Sequence, residues 1–115
     1  MSESCIFCKI VRGEIPVEKT LETEHAIVFP DLNPVTPVHH LVIPKQHIAS
    51  VDDMSESDRT VMGDVMWAAR QAARQLGVSE NGYRLVANTN RDAGQEVFHL
   101  HFHLLAGRGF RWPPG

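Results

Sequence analysis

The stretch that decides the fold is FHLHFHLL, residues 98–105, in which apolar residues and histidines alternate. Successive side chains of a β-strand point to opposite faces of a sheet. The pattern therefore predicts a strand over residues 97–106 with an apolar face toward the core and a histidine face opposite. The apolar set is Phe98, Leu100, Phe102 and Leu104, and the histidine set is His99, His101 and His103.

Three imidazoles on one face of a strand favour chemistry at phosphorus. Neighbouring same-face residues are about 6.8 Å apart and the outer pair about 13–14 Å, so three ligands closing on one zinc would need awkward rotamers. A linear array suits a nucleophile whose neighbours orient it or move protons. A neutral imidazole is abundant near neutral pH and can form a phosphoryl-histidine. A solvated histidine face and a three-histidine metal site stay open as alternatives.

The other segments predict an α+β domain on an antiparallel sheet. Short strands are expected over 21–23 and 26–29, and longer ones over 38–44 and 83–88. The clearest helix covers 55–76, with a capping box from Ser55 and Asp58 at its start and Gly77 as a left-handed residue at its end. A short helix is expected over 5–12.

Length and composition restrict the possible function classes. The chain has 115 residues, which suits a single domain over 1–115. Its formal net charge is −3, so electrostatic binding to nucleic acid is not expected. No stretch approaches the roughly 20 apolar residues of a membrane span, and the N-terminus lacks the pattern of a signal peptide. We therefore expect a cytoplasmic protein with no membrane partner and no nucleic-acid partner.

The two cysteines form a Cys-x-x-Cys pair, Cys5 and Cys8. Cytosolic thiols are normally reduced, so a disulfide is not the first expectation. Two thiolates one helical turn apart are half of a tetrahedral zinc site. The alternative is a pair of buried thiols in the core.

Residues 94–108, GQEVFHLHFHLLAGR, resemble the signature of the histidine triad superfamily. The resemblance extends to CIFCKIVRGEIP (5–16), DLNPVTPVHHLVIPKQHI (31–48), GYRLVANTN (82–90) and WPPG (112–115), which are similar to the branch of histidine triad nucleotide-binding proteins. It implies a five-stranded antiparallel sheet with one long helix and a short N-terminal helix. It also implies a homodimer whose sheets join across a two-fold axis.

The resemblance implies hydrolysis of a purine nucleoside 5′-phosphoramidate. His101 is then the nucleophile at the α-phosphorus, His103 faces the phosphate and leaving group, and His99 and His39 complete the catalytic set. The nucleotide is AMP, GMP or a phosphoramidate of either. The implied binding residues are His101 and His103 with Ile6, Phe7, Phe29, Asp31, Leu32, Asn88, Gly94, Gln95 and Val97.

The resemblance also implies a role for each group of these binding residues. Apolar residues around Phe7 and Phe29 wrap the base, and Asp31 accepts hydrogen bonds from the ribose. Main-chain N–H groups and polar side chains around Gly94 and Gln95 stabilise the phosphoryl group. On composition alone the aromatic residues are equally good core residues, and Asp31 and Asn88 are equally good turn residues. Glu96 departs from the serine of animal members and is left out of the set.

Some bacterial relatives bind zinc through this Cys-x-x-Cys pair. The equivalent ligands are Cys5, Cys8, His47 and His99, which implies a structural zinc and no catalytic metal. His103 stands where the nucleotidyltransferase branch has glutamine, which favours hydrolysis over transfer. Two further functions stay open: a dinucleoside polyphosphate hydrolase, and a non-catalytic, zinc-stabilised nucleotide-binding regulatory module.

Overall fold

The computed structural model describes residues 4–115 of the chain. Two helices and five strands occur in the order α1 (Ile6–Val11), β1 (Leu21–Glu22), β2 (Ala26–Pro30), β3 (Val38–Pro44), α2 (Arg59–Gln75), β4 (Tyr83–Val86) and β5 (Phe102–Ala106). Short 3₁₀ turns lie at Val51–Asp53, Glu56–Asp58 and Arg91–Ala93. The predicted α+β class, with one long and one short helix, is confirmed.

All five strands form one antiparallel sheet in the order β1-β2-β3-β5-β4. The central pair sets the register of the site, because His39 lies opposite Leu105 and Leu41 opposite His103. Residues that face each other across neighbouring strands share a face of the sheet. The side chains of His39 and His103 therefore emerge on the same face.

Helix α2 covers the opposite face. Its buried side is made of Val65 and four alanines, Ala68, Ala69, Ala72 and Ala73. These small side chains pack on Val28, Val42 and Leu104 of the sheet. The predicted capping box is present, since the side chains of Ser55 and Asp58 bond the turn that leads into α2. Gly77, with φ of 73°, ends the helix as predicted.

The second apolar cluster lies on the face that carries His39 and His103. It contains Phe7, Ile10, Ile27, Phe29, Leu41 and Ile43. Helix α1 thus closes part of this face, and the rings of Phe7 and Phe29 form an aromatic wall beside His101. No helix within residues 4–115 is both long and apolar enough to cross a membrane.

The prediction for the last strand is wrong at its start. Strand β5 begins at Phe102 and not at residue 97, because the main-chain N–H of Leu100 bonds to the carbonyl of Ile48 (2.6 Å) and takes this segment out of the ladder. The expected alternation fails there as well. Phe98 is 51% exposed, whereas His99 is fully buried. The strand expected over 83–88 likewise ends at Val86.

Candidate functional site

His101 lies just before β5, and within residues 4–115 one of its ring nitrogens has a hydrogen-bond partner and the other has none. Its Nδ1 is 2.7 Å from the carbonyl oxygen of His99. A carbonyl only accepts hydrogen bonds, so Nδ1 of His101 carries the proton and donates it. In the neutral ring Nε2 then has a free lone pair. The ring of Phe7 packs edge-on against His101, with centroids 5.2 Å apart.

His39 and His103 form a hydrogen-bonded pair whose tautomers follow from a main-chain group. The N–H of Val35 donates to Nδ1 of His39 (3.1 Å), so the proton of a neutral His39 resides on Nε2. That Nε2 is 2.9 Å from Nδ1 of His103. The neutral His103 then carries its proton on Nε2. The pair therefore leaves one N–H donor of His103 for a bound molecule.

Burial keeps this pair neutral. It lowers the pKa of His103 to about 4, and His101 and His39 beside it act in the same direction. Burial also lowers the pKa of His39, with the Asp31 carboxylate partly opposing the shift. Desolvation disfavours the charged form of an imidazole. At neutral pH both rings are therefore neutral hydrogen-bonding groups.

Asp31 joins the same cluster. One carboxylate oxygen lies 3.3 Å from Nε2 of His39, and the other accepts from the N–H of Asn33 (2.8 Å). The family resemblance implied that this carboxylate faces a ribose. In the structure it already contacts His39 and the N–H of Asn33 in its own turn.

His99 occupies a different environment from the other two triad residues. It is fully buried, and its Nε2 donates to the carbonyl of Pro44 (2.8 Å). Burial lowers its pKa to about 4, with the Pro44 hydrogen bond partly opposing. The lone pair of Nδ1 points toward Cys5 (3.4 Å) and Cys8 (3.6 Å). Both ring nitrogens are thus occupied, and the expectation of a third imidazole in line with His101 is corrected.

The four predicted metal ligands lie together. The ligand atoms of Cys5, Cys8, His47 and His99 all fall within 4.8 Å of one another. Nδ1 of His47 is 3.2 Å from Sγ of Cys8. A tetrahedral zinc with sulfur and nitrogen ligands places those atoms roughly 3.3–3.8 Å apart. The cluster therefore fits a zinc ion in both its donor set and its spacing.

The thiols support this fit. Cys8 is completely buried and Cys5 is partly buried. Burial and the neighbouring Cys5 raise the pKa of the Cys8 thiol. A cation between the two sulfurs offsets that cost by stabilising the thiolates.

The residues predicted to hold the base are only partly brought together. Phe7 and Phe29 pack edge-to-face with ring centroids 5.9 Å apart, and Val97 borders the same cluster. Ile6 is 47% exposed and Leu32 is 93% exposed, so neither side chain belongs to the core. Phe7 and Phe29 are core residues that also border the histidines.

The loop expected to stabilise a phosphate uses its polar groups internally. The N–H of Gly94 bonds to Arg91 and that of Gln95 to Asn90, both through carbonyl oxygens. The Gln95 side chain accepts from the N–H of Asn90 (2.8 Å) and donates to the carbonyls of Ala49 (2.8 Å) and Val97 (3.1 Å). The buried Gln95 side chain therefore stabilises this loop through its hydrogen bonds. Asn88 follows β4 and is half-buried.

Main-chain groups are the part of the site that the sequence did not indicate. The Pro44 carbonyl, the Val35 N–H and the His99 carbonyl set the protonation pattern of the histidines. Every residue carries such groups, so no side-chain pattern marks them.

Comparison with known proteins gives one consistent family. The HIT domain family matches residues 12–110. The purine nucleoside phosphoramidase of Escherichia coli K12 is 44% identical over 108 residues, covering 94% of this chain and 91% of that protein. An uncharacterized HIT-like protein of Synechococcus elongatus is 45% identical over 115 residues, the full length of both chains. A HIT family hydrolase from Legionella pneumophila has a TM-score of 0.93 and 46% identity, covering 97% of this chain and 100% of that one.

Proposed function

This chain belongs to the HIT domain family, and from that premise we propose that it hydrolyses the phosphorus–nitrogen bond of purine nucleoside 5′-phosphoramidates. The observation that carries the proposal is the state of His101. Its Nδ1–H is fixed by the His99 carbonyl, so in the neutral tautomer the lone pair that can attack phosphorus lies on Nε2. The 44% identity to the Escherichia coli phosphoramidase supports the same substrate class.

The proposed reaction has two steps at the α-phosphorus. Nε2 of His101 forms a bond to phosphorus while the phosphorus–nitrogen bond breaks, and the amine leaves with the electron pair. The amine takes up a proton relayed by Nε2 of His103 from solvent. Water then attacks the nucleotidyl-histidine and releases AMP or GMP together with neutral His101. Over both steps one water is consumed, with a proton on the amine and a hydroxyl on phosphorus.

Two groups around His101 support this chemistry. The His99 carbonyl accepts from the ring that becomes positively charged when Nε2 bonds to phosphorus, so the hydrogen bond strengthens as the reaction proceeds. The His39–His103 pair supplies a neutral donor toward the phosphoryl oxygen and the leaving nitrogen. His39 is a positioning residue in this scheme, because it acts through His103.

The nucleotide is proposed to lie against the aromatic wall beside α1. Phe7 packs against His101, and Phe29 packs against Phe7, so a base stacked there leaves its phosphate at the histidines. The exposed side chains of Ile6 and Leu32 are available to cover the base. The ribose then approaches Asp31, whose carboxylate exchanges part of its contact with His39 for the hydroxyls. Val97 and Asn88 are proposed to border the phosphate.

A zinc ion is proposed to be held by Cys5, Cys8, His47 and His99. When bound, it supplies a structural cross-link and takes no part in either chemical step. His99 then anchors the segment that carries the nucleophile, and the two cysteines anchor α1.

We also propose that two chains form a homodimer. Large apolar side chains remain exposed within residues 4–115, including Trp67 at 54% and Trp112 at 83%. Two-fold dimers are the commonest oligomers of soluble proteins. Light scattering after size-exclusion chromatography measures the mass, and a monomer at micromolar concentration excludes this part of the proposal.

The deciding experiment is capture of the covalent intermediate. The protein is mixed with an adenosine 5′-phosphoramidate, quenched in alkaline denaturant within milliseconds to seconds, digested and analysed by mass spectrometry. The expected result is one added AMP on the peptide that contains His101, and none in His101→Ala. Diadenosine polyphosphate is assayed in parallel, and faster turnover of that substrate favours the dinucleoside polyphosphate alternative. AMP binding without turnover of either substrate favours a non-catalytic nucleotide-binding module.

A further inference from the structure

Two sulfur atoms lie side by side at the start of α1. Cys5 immediately precedes the helix, and its Sγ accepts a hydrogen bond from the main-chain N–H of Cys8 (3.3 Å). The two Sγ atoms are within 4.8 Å of each other. Helix geometry places Cα atoms three residues apart at about 5 Å, which is inside the range of a disulfide. A bond between these sulfurs therefore needs side-chain rotation and no rearrangement of the main chain.

The two thiols differ in how easily a solute reaches them. Cys5 keeps part of its surface exposed, whereas Cys8 is completely buried. Each has an imidazole nitrogen beside it, since Nδ1 of His99 is 3.4 Å from Sγ of Cys5 and Nδ1 of His47 is 3.2 Å from Sγ of Cys8. A neighbouring imidazole favours the thiolate, which is the form that reacts with oxidants. An oxidant therefore reaches Cys5 first, and Cys8 is placed to react with the oxidised Cys5.

The buried ring of His99 depends on these sulfurs for a hydrogen bond. Its Nε2–H donates to the carbonyl of Pro44, so Nδ1 of the neutral ring is an acceptor. Within residues 4–115 the partners of that Nδ1 are the thiols of Cys5 (3.4 Å) and Cys8 (3.6 Å). A disulfide has no hydrogen to donate. Oxidation of the two cysteines therefore leaves a buried acceptor without a donor, which is unfavourable.

A change at the His99 ring reaches His101 by two routes. The carbonyl of His99 accepts the hydrogen bond from Nδ1 of His101 (2.7 Å), so a shift of residue 99 moves that acceptor. The Phe7 ring contacts both imidazoles, with centroids 5.7 Å from His99 and 5.2 Å from His101. Movement of the cysteines on either side of Phe7 in the sequence therefore also alters the packing around His101.

We propose that Cys5 and Cys8 are a site of reversible oxidation, and that the disulfide they form converts the neighbouring nucleotide site to a weaker-binding state. The disulfide itself is independent of the proposed hydrolysis, whereas its effect on nucleotides rests on the proposed nucleotide site.

The oxidant is a peroxide or a small disulfide. With hydrogen peroxide, Sγ of Cys5 attacks one oxygen, the O–O bond breaks, and a sulfenic acid and one water are formed. Sγ of Cys8 then attacks the sulfur of the sulfenic acid, the S–S bond forms, and the second water leaves. Two thiols and one peroxide thus give one disulfide and two waters, and exchange with a dithiol reverses the change. In protein that holds the proposed zinc, the same oxidation removes two of the four ligands.

The chain has only two cysteines, so a disulfide within one chain has a single possible pairing. Metal-free protein is treated with hydrogen peroxide, alkylated with iodoacetamide in denaturant and analysed by mass spectrometry. We expect the oxidised chain to be lighter by two hydrogens and free of alkyl groups, and the untreated chain to carry two. Calorimetry should show that oxidation weakens AMP binding about fivefold and that dithiothreitol restores it. In zinc-loaded protein, a chromogenic chelator should detect one zinc released for each disulfide formed.

Cys5→Ser is the matched control. A serine hydroxyl still accepts the N–H of Cys8 and is a preferred residue at a helix start, so the beginning of α1 is kept. This variant cannot form the disulfide, so peroxide should leave its AMP affinity at the value measured before treatment. It also keeps Met54 and Met66, which are partly exposed and which peroxide oxidises, so it separates their effect from that of the cysteines.

Histidine NMR gives a second measurement that needs no nucleotide. Oxidation should shift the ring signals of His99 and His101 in the wild type. The ring signals of His40 should stay in place, since His40 bonds to the Thr20 hydroxyl and its neighbour in register, Leu104, packs under α2. Peroxide-treated Cys5→Ser should show neither shift.

The outcomes separate this inference from the proposed function. Two alkylated cysteines after peroxide treatment overturn the proposal, and so do disulfide-linked dimers, in which the bond joins two chains. A disulfide that leaves AMP affinity unchanged overturns the effect on the nucleotide site, and an equal loss of affinity in treated Cys5→Ser excludes the cysteines as its cause. AMP binding without hydrolysis of phosphoramidates overturns the proposed function and leaves this test intact. A reduced protein that does not bind AMP contradicts the proposed nucleotide site, and the mass and the histidine signals then decide whether the disulfide forms and alters His99.

Discussion

The carbonyl oxygen of His99 lies 2.7 Å from Nδ1 of His101, so His99 contacts the proposed nucleophile with its main chain and the cysteine thiols with its ring. Phe7 adds a second connection between the cysteines and His101. It lies between Cys5 and Cys8 in the sequence, and its ring contacts both His99 and His101. The candidate metal ligands and His101 are therefore adjacent parts of one packed unit.

Removal of the metal should weaken nucleotide binding. Without zinc, α1 and the His99 segment lose their cross-link, so we expect the Kd for AMP to rise about 10-fold, as when ligand-supporting interactions are lost. Calorimetry on zinc-loaded and chelator-treated protein measures this, and added zinc should restore binding. By linkage, saturating AMP should raise zinc affinity by the same factor. Unchanged AMP affinity after complete zinc removal contradicts the coupling.

Replacement of His39 should affect turnover more than binding. In His39→Gln the hydrogen bond from Nε2 to His103 is lost, and we expect kcat to fall about 10- to 100-fold with KM changed less than threefold. His40→Gln is the matched control, since His40 bonds to the Thr20 hydroxyl (2.8 Å) and its neighbour in register, Leu104, packs under α2. Steady-state kinetics of both variants checks this. Equal loss of kcat in the two variants argues against a specific role for His39.

Truncation of Gln95 should destabilise the fold. Gln95→Ala leaves the N–H of Asn90 and the carbonyls of Ala49 and Val97 without their side-chain partner, which costs about 2–3 kcal/mol of unfolding free energy. Urea denaturation measures the loss. Glu96→Ala, at an exposed neighbouring position, should change stability by less than about 0.5 kcal/mol. A phosphate-binding role for the Gln95 side chain predicts the reverse: weaker nucleotide binding with normal stability.

Acidification should destabilise the protein through His103. The folded-state pKa of about 4 lies below the ordinary 6.5, so the unfolded chain binds the proton first as pH falls. His103 makes no pH-dependent contribution above pH 7, and stability is lost progressively between about pH 6.5 and 4. At pH 5 this costs about 1–2 kcal/mol. Thermal unfolding from pH 7.5 to 5 should show a smaller fall in His103→Gln than in the wild type, and identical pH profiles contradict this assignment.

The regular elements could be predicted because their patterns are local. The capping box of Ser55 and Asp58 and the position of Gly77 fixed both ends of the long helical region. The alternation over Phe102–Ala106 was also informative, since Leu104 and Ala106 are buried. Local patterns succeed where the hydrophobic period and the packing agree.

The failures have a non-local cause. Residues 98–101 leave the ladder because the Leu100 N–H bonds to Ile48 and the His99 ring turns toward Cys5, 94 positions away. An alternating sequence carries no sign of such partners. The clustering of Cys5, Cys8, His47 and His99 was predicted only through the family resemblance, because one Cys-x-x-Cys pair does not identify its other ligands.

The sheet separates two groups of residues whose substitutions should affect the protein independently of each other. Changes in the alanine-rich packing of α2 and changes around His101 lie on opposite sides of the central strands and share few partners, so their free energies should add within about 0.5 kcal/mol. Changes within the unit of Cys5, Phe7, His99 and His101 should couple strongly. Substitutions in the packing under α2 should therefore be able to raise stability independently of catalysis. Substitutions on the other face must instead be chosen together, because their effects are coupled.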